Sequence, residues 1–209
     1  ESYGAKVFSR PWQGHAAHRN FASEKATQPW LFALDVDEIV TPELREEIIR
    51  AISRPAADSV VAFGFARCTM YHGRWIRHGD WYPDRKIRIW RRGRGSWEGG
   101  LHERLIVDGS KEWLRGDLLH HSMESLEHQI KKTISTADYF LRQCEKSGRK
   151  VGFGDLAFRP WWSFFRSYFI RVGFLDGWQG YVIAWMTSFY TFLRYAKVFV
   201  AQKEKNKEP

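Results

Sequence analysis

The chain has 209 residues, enough for one large domain or a domain with an appendage, and enough for a substantial hydrophobic core. Its net charge is +9, 16% of its residues are aromatic and 11 are Trp. Two cysteines, Cys68 and Cys144, stand far apart without CxxC spacing, which argues against a disulfide framework or a Cys-rich zinc site and for a reducing compartment. The basic balance favours anionic partners such as nucleic acid, anionic headgroups or phosphorylated substrates, and the aromatic content suits a membrane interface.

In chain order, no signal peptide is visible, and Glu1 leads almost directly into AKVF, a short apolar run that stops at Pro11. Residues 16–26 are helix-compatible, with Ala17, Phe21 and Lys25 on one face. WLFAL (residues 30–34) is a continuous apolar run that suits a parallel strand covered on both sides. Thr41-Pro42 starts a helix, with Thr41 as N-cap, Pro42 at the first helical position and Glu43 in the first turn. Leu44, Ile48, Ile49 and Ile52 continue its apolar stripe. SVVAFGFA (residues 59–66) reads as the next strand. This alternation predicts an α/β layered domain with a parallel sheet.

Residues 71–121 are rich in Gly, Trp and Arg, with short strands expected at RKIRIW and RLIVDG. Helix returns over residues 124–147, where Leu126, Ile130, Ile134, Ala137, Leu141 and Cys144 recur at helical spacing, and Gly148 stops it. An aromatic-rich segment follows over residues 151–199. The expected organisation is an α/β domain over residues 1–122, a helical region over 123–200 and a frayed polar tail over 201–209. No internal repeat is present.

The apolar run 30–34 ends on Asp35, Asp37 and Glu38, three carboxylates within four positions. Such groups repel unless something positive sits among them. In extended backbone, positions i and i+2 point the same way, so Asp35 and Asp37 could address one ion. Oxygen ligands suit Mg²⁺ or Mn²⁺, and such an ion would bind a nucleotide diphosphate. The plainer alternative is a solvated acidic turn before a helix.

WLFALDVDEIVTPEL resembles the DxD segment of family 2 glycosyltransferases, in the branch similar to lipopolysaccharide-core β-1,4-glucosyltransferases. YGAKVFSRPWQGHAAHRNFA, YPDRKIRIWRRGRGSWEGGLHERL, LLHHS and GFLDGWQGYVIA resemble successive segments of that branch in the same order, so the likeness covers nearly the whole chain. Two departures stand out. Thr27-Gln28-Pro29 replaces the usual small residue and Gly, and the family's first strand–helix–strand unit, which holds much of the base and ribose site, is not in this sequence. Residues 1–122 then correspond to a partial GT-A catalytic domain.

The resemblance implies a GT-A-like, mostly parallel sheet flanked by helices, with a helical, aromatic-rich C-terminal appendage. It also implies a nucleotide-sugar donor, with a UDP-sugar expected, and transfer of a hexose with inversion to a lipopolysaccharide-core or other lipid-linked acceptor. Asp35, Asp37 and Arg88 are the expected donor-binding residues. Asp37 with His121, or with His120, is expected to hold Mg²⁺ or Mn²⁺. Glu103 of WEGGLHERL is the expected base, against the alternative of a surface ion pair with an arginine. Asp84, Trp97 and His102 are secondary or acceptor-side candidates, and Asp80 is held in reserve with Asp84. His15 and His18 are read as ordinary.

In RKIRIWRRGR, Ile87 and Ile89 are expected on one face and Lys86 and Arg88 on the other, with Arg88 meeting phosphate and Arg91, Arg92 and Arg94 simply solvated. WQGYVIAWMTSFYTFL carries no formal charge but falls short of about 20 spanning residues. Its neighbours mix large aromatics with Arg166 and Arg171, a pattern of helices lying in a membrane interface, a core helix pair being the alternative. The expected location is the cytoplasmic face of the bacterial inner membrane, held peripherally on anionic lipid. Nucleic-acid binding is not expected, because the aromatics cluster in apolar runs rather than along a basic groove. The rival reading is a truncated remnant that binds membrane or glycan without catalysis.

Overall fold

The computed structural model describes residues 4–54, 59–99, 103–123 and 125–205. Elements alternate through the first half: α1 (His15–Lys25), β1 (Trp30–Phe32), β2 (Glu38–Val40), α2 (Pro42–Ser53), β3 (Val60–Tyr71) and β4 (Arg74–Ile76). Then come β5 (Asp84–Arg91), β6 (Gly95–Glu98), β7 (Arg104–Val107) and β8 (Ser110–Met123), followed by helices α3 (Leu126–Ser147), α4 (Phe153–Phe165) and α5 (Gly177–Lys205). The larger sheet has the order β1-β5-β3-β8-β2, with β4 pairing with β3, and β6 and β7 form a second, two-stranded sheet. The protein is thus α/β, with a helix-flanked sheet and an aromatic-rich helical C-terminal region.

The chain divides into two compact units. One comprises Glu1–Asp35, Pro42–Phe65 and Arg85–Gly116; the other comprises Val36–Thr41, Ala66–Asp84 and Asp117–Pro209.

In the first unit, Leu31, Val61, Ala62, Trp90, Trp97, Leu105 and Val107 form one buried cluster. Each large apolar side chain so buried contributes about 1.5–3 kcal/mol. The run 30–34 does not make the fully covered parallel strand expected of it. Only residues 30–32 are strand, and they pair antiparallel with β5, Leu31 opposite Trp90. Phe32 and Leu34 are exposed, because β1 ends the sheet order and the inward face of the run is carried by Leu31 and Ala33. The registers β3–β4, β2–β8 and β6–β7 are antiparallel as well. The β3–β8 neighbours run in the same direction: Ser110 bonds the Ser59 carbonyl and Trp113 lies against Gly64 further along both strands. Leu44 of α2 is fully buried, and Gly116 of β8 passes so close to it that a Cβ would meet the Leu44 backbone at 2.8 Å. Glu47 accepts from the Arg115 and Gly116 amides at 2.8 and 3.0 Å, fixing α2 along β8.

In the second unit, β3 and β4 join through His72-Gly73, both at positive φ (43° and 79°), the geometry of a two-residue hairpin turn. Ser125 caps α3 by accepting from the His128 amide at 3.1 Å, and Gly148 closes it at φ 67° in the left-handed region. The apolar stripe of α3 is only half inward. Leu126, Ile130 and Ile134 are exposed, whereas Gln129, Ala137 and Cys144 are buried. Gln129 tolerates burial because its Oε1 accepts from Tyr71 Oη at 2.7 Å. α4 runs into a π-helical turn, Arg166–Ile170, and a 3₁₀ turn, Gly173–Asp176, before α5 returns along it. Residues 201–205, expected as tail, extend α5 instead. Gln202 bonds both the amide and the carbonyl of Val151 at 2.9 Å, and Lys205 pairs with Glu145 at 3.0 Å, so the segment has partners that hold it helical. Among the described residues no helix is long and apolar enough to cross a membrane.

Gly180 marks the closest approach in this helical region, since a Cβ there would run into the Gly173 carbonyl oxygen. Gly180→Ala is expected to cost about 1–3 kcal/mol, read as a lower melting midpoint. Gly154→Ala, helical and with nothing within 4 Å of the new atom, should be neutral or stabilising by up to about 1 kcal/mol.

Candidate active site

The acidic segment that follows β1 is a turn at Val36-Asp37, not extended strand. The same-side argument for Asp35 and Asp37 therefore does not hold, and each of the three acids has its own side-chain partner.

Asp35 belongs to the first unit. Arg19 Nη2 of α1 donates to its Oδ1 at 2.6 Å, and Arg88 Nη2 of β5 donates to its Oδ2 at 2.7 Å. Arg19 also donates from Nε to Glu103 Oε1 at 3.0 Å, so one guanidinium holds two carboxylates. Its Cζ lies 4.6 Å above the Trp97 ring, a cation–π contact that fixes the plane of the fork. Asn20, the next residue, clamps β6 by accepting from the Trp97 amide at 2.7 Å and donating to the Trp97 carbonyl at 2.9 Å. Burial pushes the Asp35 carboxyl upward, but the charges of Arg88 and Arg19 and their hydrogen bonds more than offset this, leaving it below the usual carboxylate range. Arg88 is 5% exposed. Its side chain lies inside, paired with Asp35.

Asp37 and Glu38 belong to the second unit. Asp37 Oδ2 is 3.2 Å from His120 Nε2. Its carbonyl accepts from the His121 amide at 2.9 Å, while the His121 ring stands edge-on to Trp75 with centroids 5.1 Å apart. Alternation along β8 thus sends the paired histidines to different partners. Burial, then the charge of Arg67, pushes His120 below the usual imidazole range, so it favours the neutral form that ligates metal. The Glu38 side chain is fully buried and meets Arg67 Nη1 at 3.2 Å, and Arg67 also donates to Asp84 Oδ2 from Nε and Nη2 at 2.9 and 2.6 Å. Among the described residues no three His, Cys, Asp or Glu side chains converge as a metal site. Asp37 and His120 supply two adjacent donors, a fit for an ion whose other ligands are phosphate oxygens and water.

His102 lies outside the described residues. Trp97 is a core residue under Arg19, and Asp84 is the partner of Arg67. Arg91 stacks 4.8 Å over Trp30 and Arg94 donates to the Asp108 carbonyl, so both serve the scaffold. His18 bonds the Gly14 carbonyl and packs on Trp12. Arg19 and Arg67 were not singled out by the sequence reading. The signal for them was the requirement itself, because a buried run ending on acids needs cations supplied from other elements.

The helix-flanked sheet and its acid-rich strand ends are consistent with a GT-A arrangement, that of glycosyltransferases. Residues 1–103 match the model of Glycosyl transferase family 2. The chain is 31% identical over 192 residues to the lipopolysaccharide core biosynthesis glycosyltransferase LpsC of Rhizobium meliloti (strain 1021), covering 90% of this chain and 70% of that protein. It is 26% identical over 208 residues to the uncharacterized glycosyltransferase RT0209 of Rickettsia typhi, covering 95% and 71% of the two chains. A third relative, the uncharacterized glycosyltransferase RP128 of Rickettsia prowazekii, is 25% identical over 214 residues, again 95% and 71%. The chain belongs to glycosyl transferase family 2, and it is an enzyme of that class.

Because the Asp35 carboxyl is held below its ordinary value of 3.8, its pairing stabilises the fold fully above that pH and is lost as pH falls through the lower folded value. Asp35→Asn should flatten this part of the acid limb of stability against pH. It should also cost about 1–3 kcal/mol at neutral pH, since Arg88 stays buried beside a weaker partner; chemical denaturation across pH 2–7 measures both.

Proposed function

We propose that the protein transfers a hexose with inversion from a UDP-sugar to a lipopolysaccharide-core or similar surface-glycan acceptor. The observation that carries this reading is the Arg19 bridge, which joins Asp35 of the DxD segment to Glu103 of the WEGGLHERL segment. Glu103 is the base that takes the proton from the attacking acceptor hydroxyl, and Arg19 fixes its orientation. Asp35, held ionised by Arg88 and Arg19, accepts hydrogen bonds from the donor, and the Arg88 charge favours donor phosphate nearby. Asp37 with His120 would hold Mg²⁺ or Mn²⁺, and His121 supports Asp37 through its amide. When bound, the ion would offset the charge of the departing nucleoside diphosphate. The name of the Rhizobium relative supports the lipopolysaccharide-core assignment.

Membrane attachment is part of the proposal. Phe158, Trp161, Trp162 and Trp178 of α4 and α5 are 57–75% exposed, which leaves an apolar aromatic surface on the helical region. Residues 153–205 also carry seven Lys or Arg against three Asp or Glu, a balance that suits anionic lipid. Peripheral attachment to the cytoplasmic face of the inner membrane follows, where nucleotide-sugars and lipid-linked acceptors meet.

Asp37→Asn and Glu103→Gln should each lower turnover about 100- to 10,000-fold with circular dichroism unchanged. Near-normal transfer by Glu103→Gln would remove it as the base. Chelation should abolish transfer, and Mg²⁺ or Mn²⁺ should restore it. In flotation with anionic liposomes the protein should rise with the vesicles, and Trp161→Ser with Trp162→Ser should leave it at the bottom; a wild-type chain that never floats would rule out interfacial attachment.

A further inference from the structure

The second unit holds a cavity of about 260 Å³ framed by α3, α5 and the turn Gly79–Trp81, lined among others by Asp80, Trp81, Gln129, Lys132, Thr133 and Tyr190. Small-ligand sites run from roughly 300 to 1,000 Å³, so this one has room for a single sugar ring rather than a nucleotide-sugar. We propose that it seats one ring of the acceptor, and that this ring carries an acidic substituent. The assignment to the acceptor rests on the transfer reaction proposed above.

The lining has the two chemistries that a pyranose requires. The half-buried Trp81 indole, braced edge-on by Tyr71 with centroids 5.3 Å apart, offers apolar surface to a C–H face. Carboxylate, amide and hydroxyl groups stand around it for the ring hydroxyls.

The polar groups are anchored before any ligand arrives. Asp80 is held by Arg166 Nη2 at 2.7 Å and by Arg171 Nη1 at 3.3 Å, and its side chain is 9% exposed. Gln129, 3% exposed, has its amide oriented by the 2.7 Å bond from Tyr71 Oη. Such prior ordering lowers the entropy cost of binding.

Charge selects the substituent. Two arginines already offset Asp80, so Lys132 is surplus positive charge at the cavity.

The test is ligand-observed NMR on the wild-type chain, Lys132→Gln and Thr133→Trp, with methyl glucoside, glucose 6-phosphate and, separately, UDP with Mn²⁺ as probes. Expected is saturation transfer to glucose 6-phosphate in the wild type and affinity lowered about tenfold by Lys132→Gln, the loss of one charge-assisted contact. Thr133→Trp, which fills the cavity, should abolish it, and all three proteins should bind UDP–Mn²⁺ equally. Glucose 6-phosphate binding that survives Thr133→Trp, or that ignores Lys132→Gln, or that is absent from the wild type, overturns the proposal. Because Lys132 is on the surface, that variant stays informative if the Trp variant misfolds. Failure of UDP–Mn²⁺ binding with sugar-phosphate binding intact would instead count against the donor reading and leave the cavity assigned.

Discussion

Neutralisation of three nearly adjacent carboxylates is the constraint on which the rest of the site depends. Asp35, Asp37 and Glu38 occupy four positions of chain, too close to be ionised together without compensation. The fold answers by giving each a partner from a different element: α1 and β5 for Asp35, β8 for Asp37, β3 for Glu38. These pairings differ in character. Two arginines lock Asp35, and a fully buried Glu38 is locked by Arg67, whereas Asp37 faces a histidine pushed toward neutrality. Asp37 is thus the one of the three that meets a histidine rather than an arginine, in keeping with the metal role proposed for it.

Much of the architecture was legible in the chain. Pro42 after Thr41, Gly148 after the α3 stripe and the RKIRIW strand all stand where periodicity and capping place them, because each rests on local rules. What local rules could not give is the identity of a neighbour. The run 30–34 reads as a covered central strand because hydrophobicity alone cannot tell an edge strand with one inward face from a buried one. The Asp35-Asp37 spacing suggested a shared ion because extended backbone was assumed, and a two-residue turn removes that geometry. Alternation places Lys86 and Arg88 on one face of the strand, but it does not say that Arg88 meets Asp35, a carboxylate from a separate segment.

The site residues followed a similar division. The family resemblance pointed to Glu103, Asp35, Asp37 and Arg88, and the structure shows which side chains they meet. Of the two histidines, neighbouring positions on one strand lead to opposite surroundings, a π contact for one and a carboxylate for the other. Arg19 is the clearest gain, since no pattern of spacing announces that one helix residue will hold two acids from separate segments.

The pair of ion pairs made by Arg19 also constrains how such a sequence can change. Losing Arg19 removes a partner from two carboxylates at once, and losing Asp35 removes one from two guanidiniums, one of them buried. Every single step away from this arrangement therefore passes through a poorly compensated intermediate. Positions 19, 35, 88 and 103 should drift through descent as one heritable unit, and a lineage that alters its sugar specificity has an easier path through the surrounding surfaces than through these four residues.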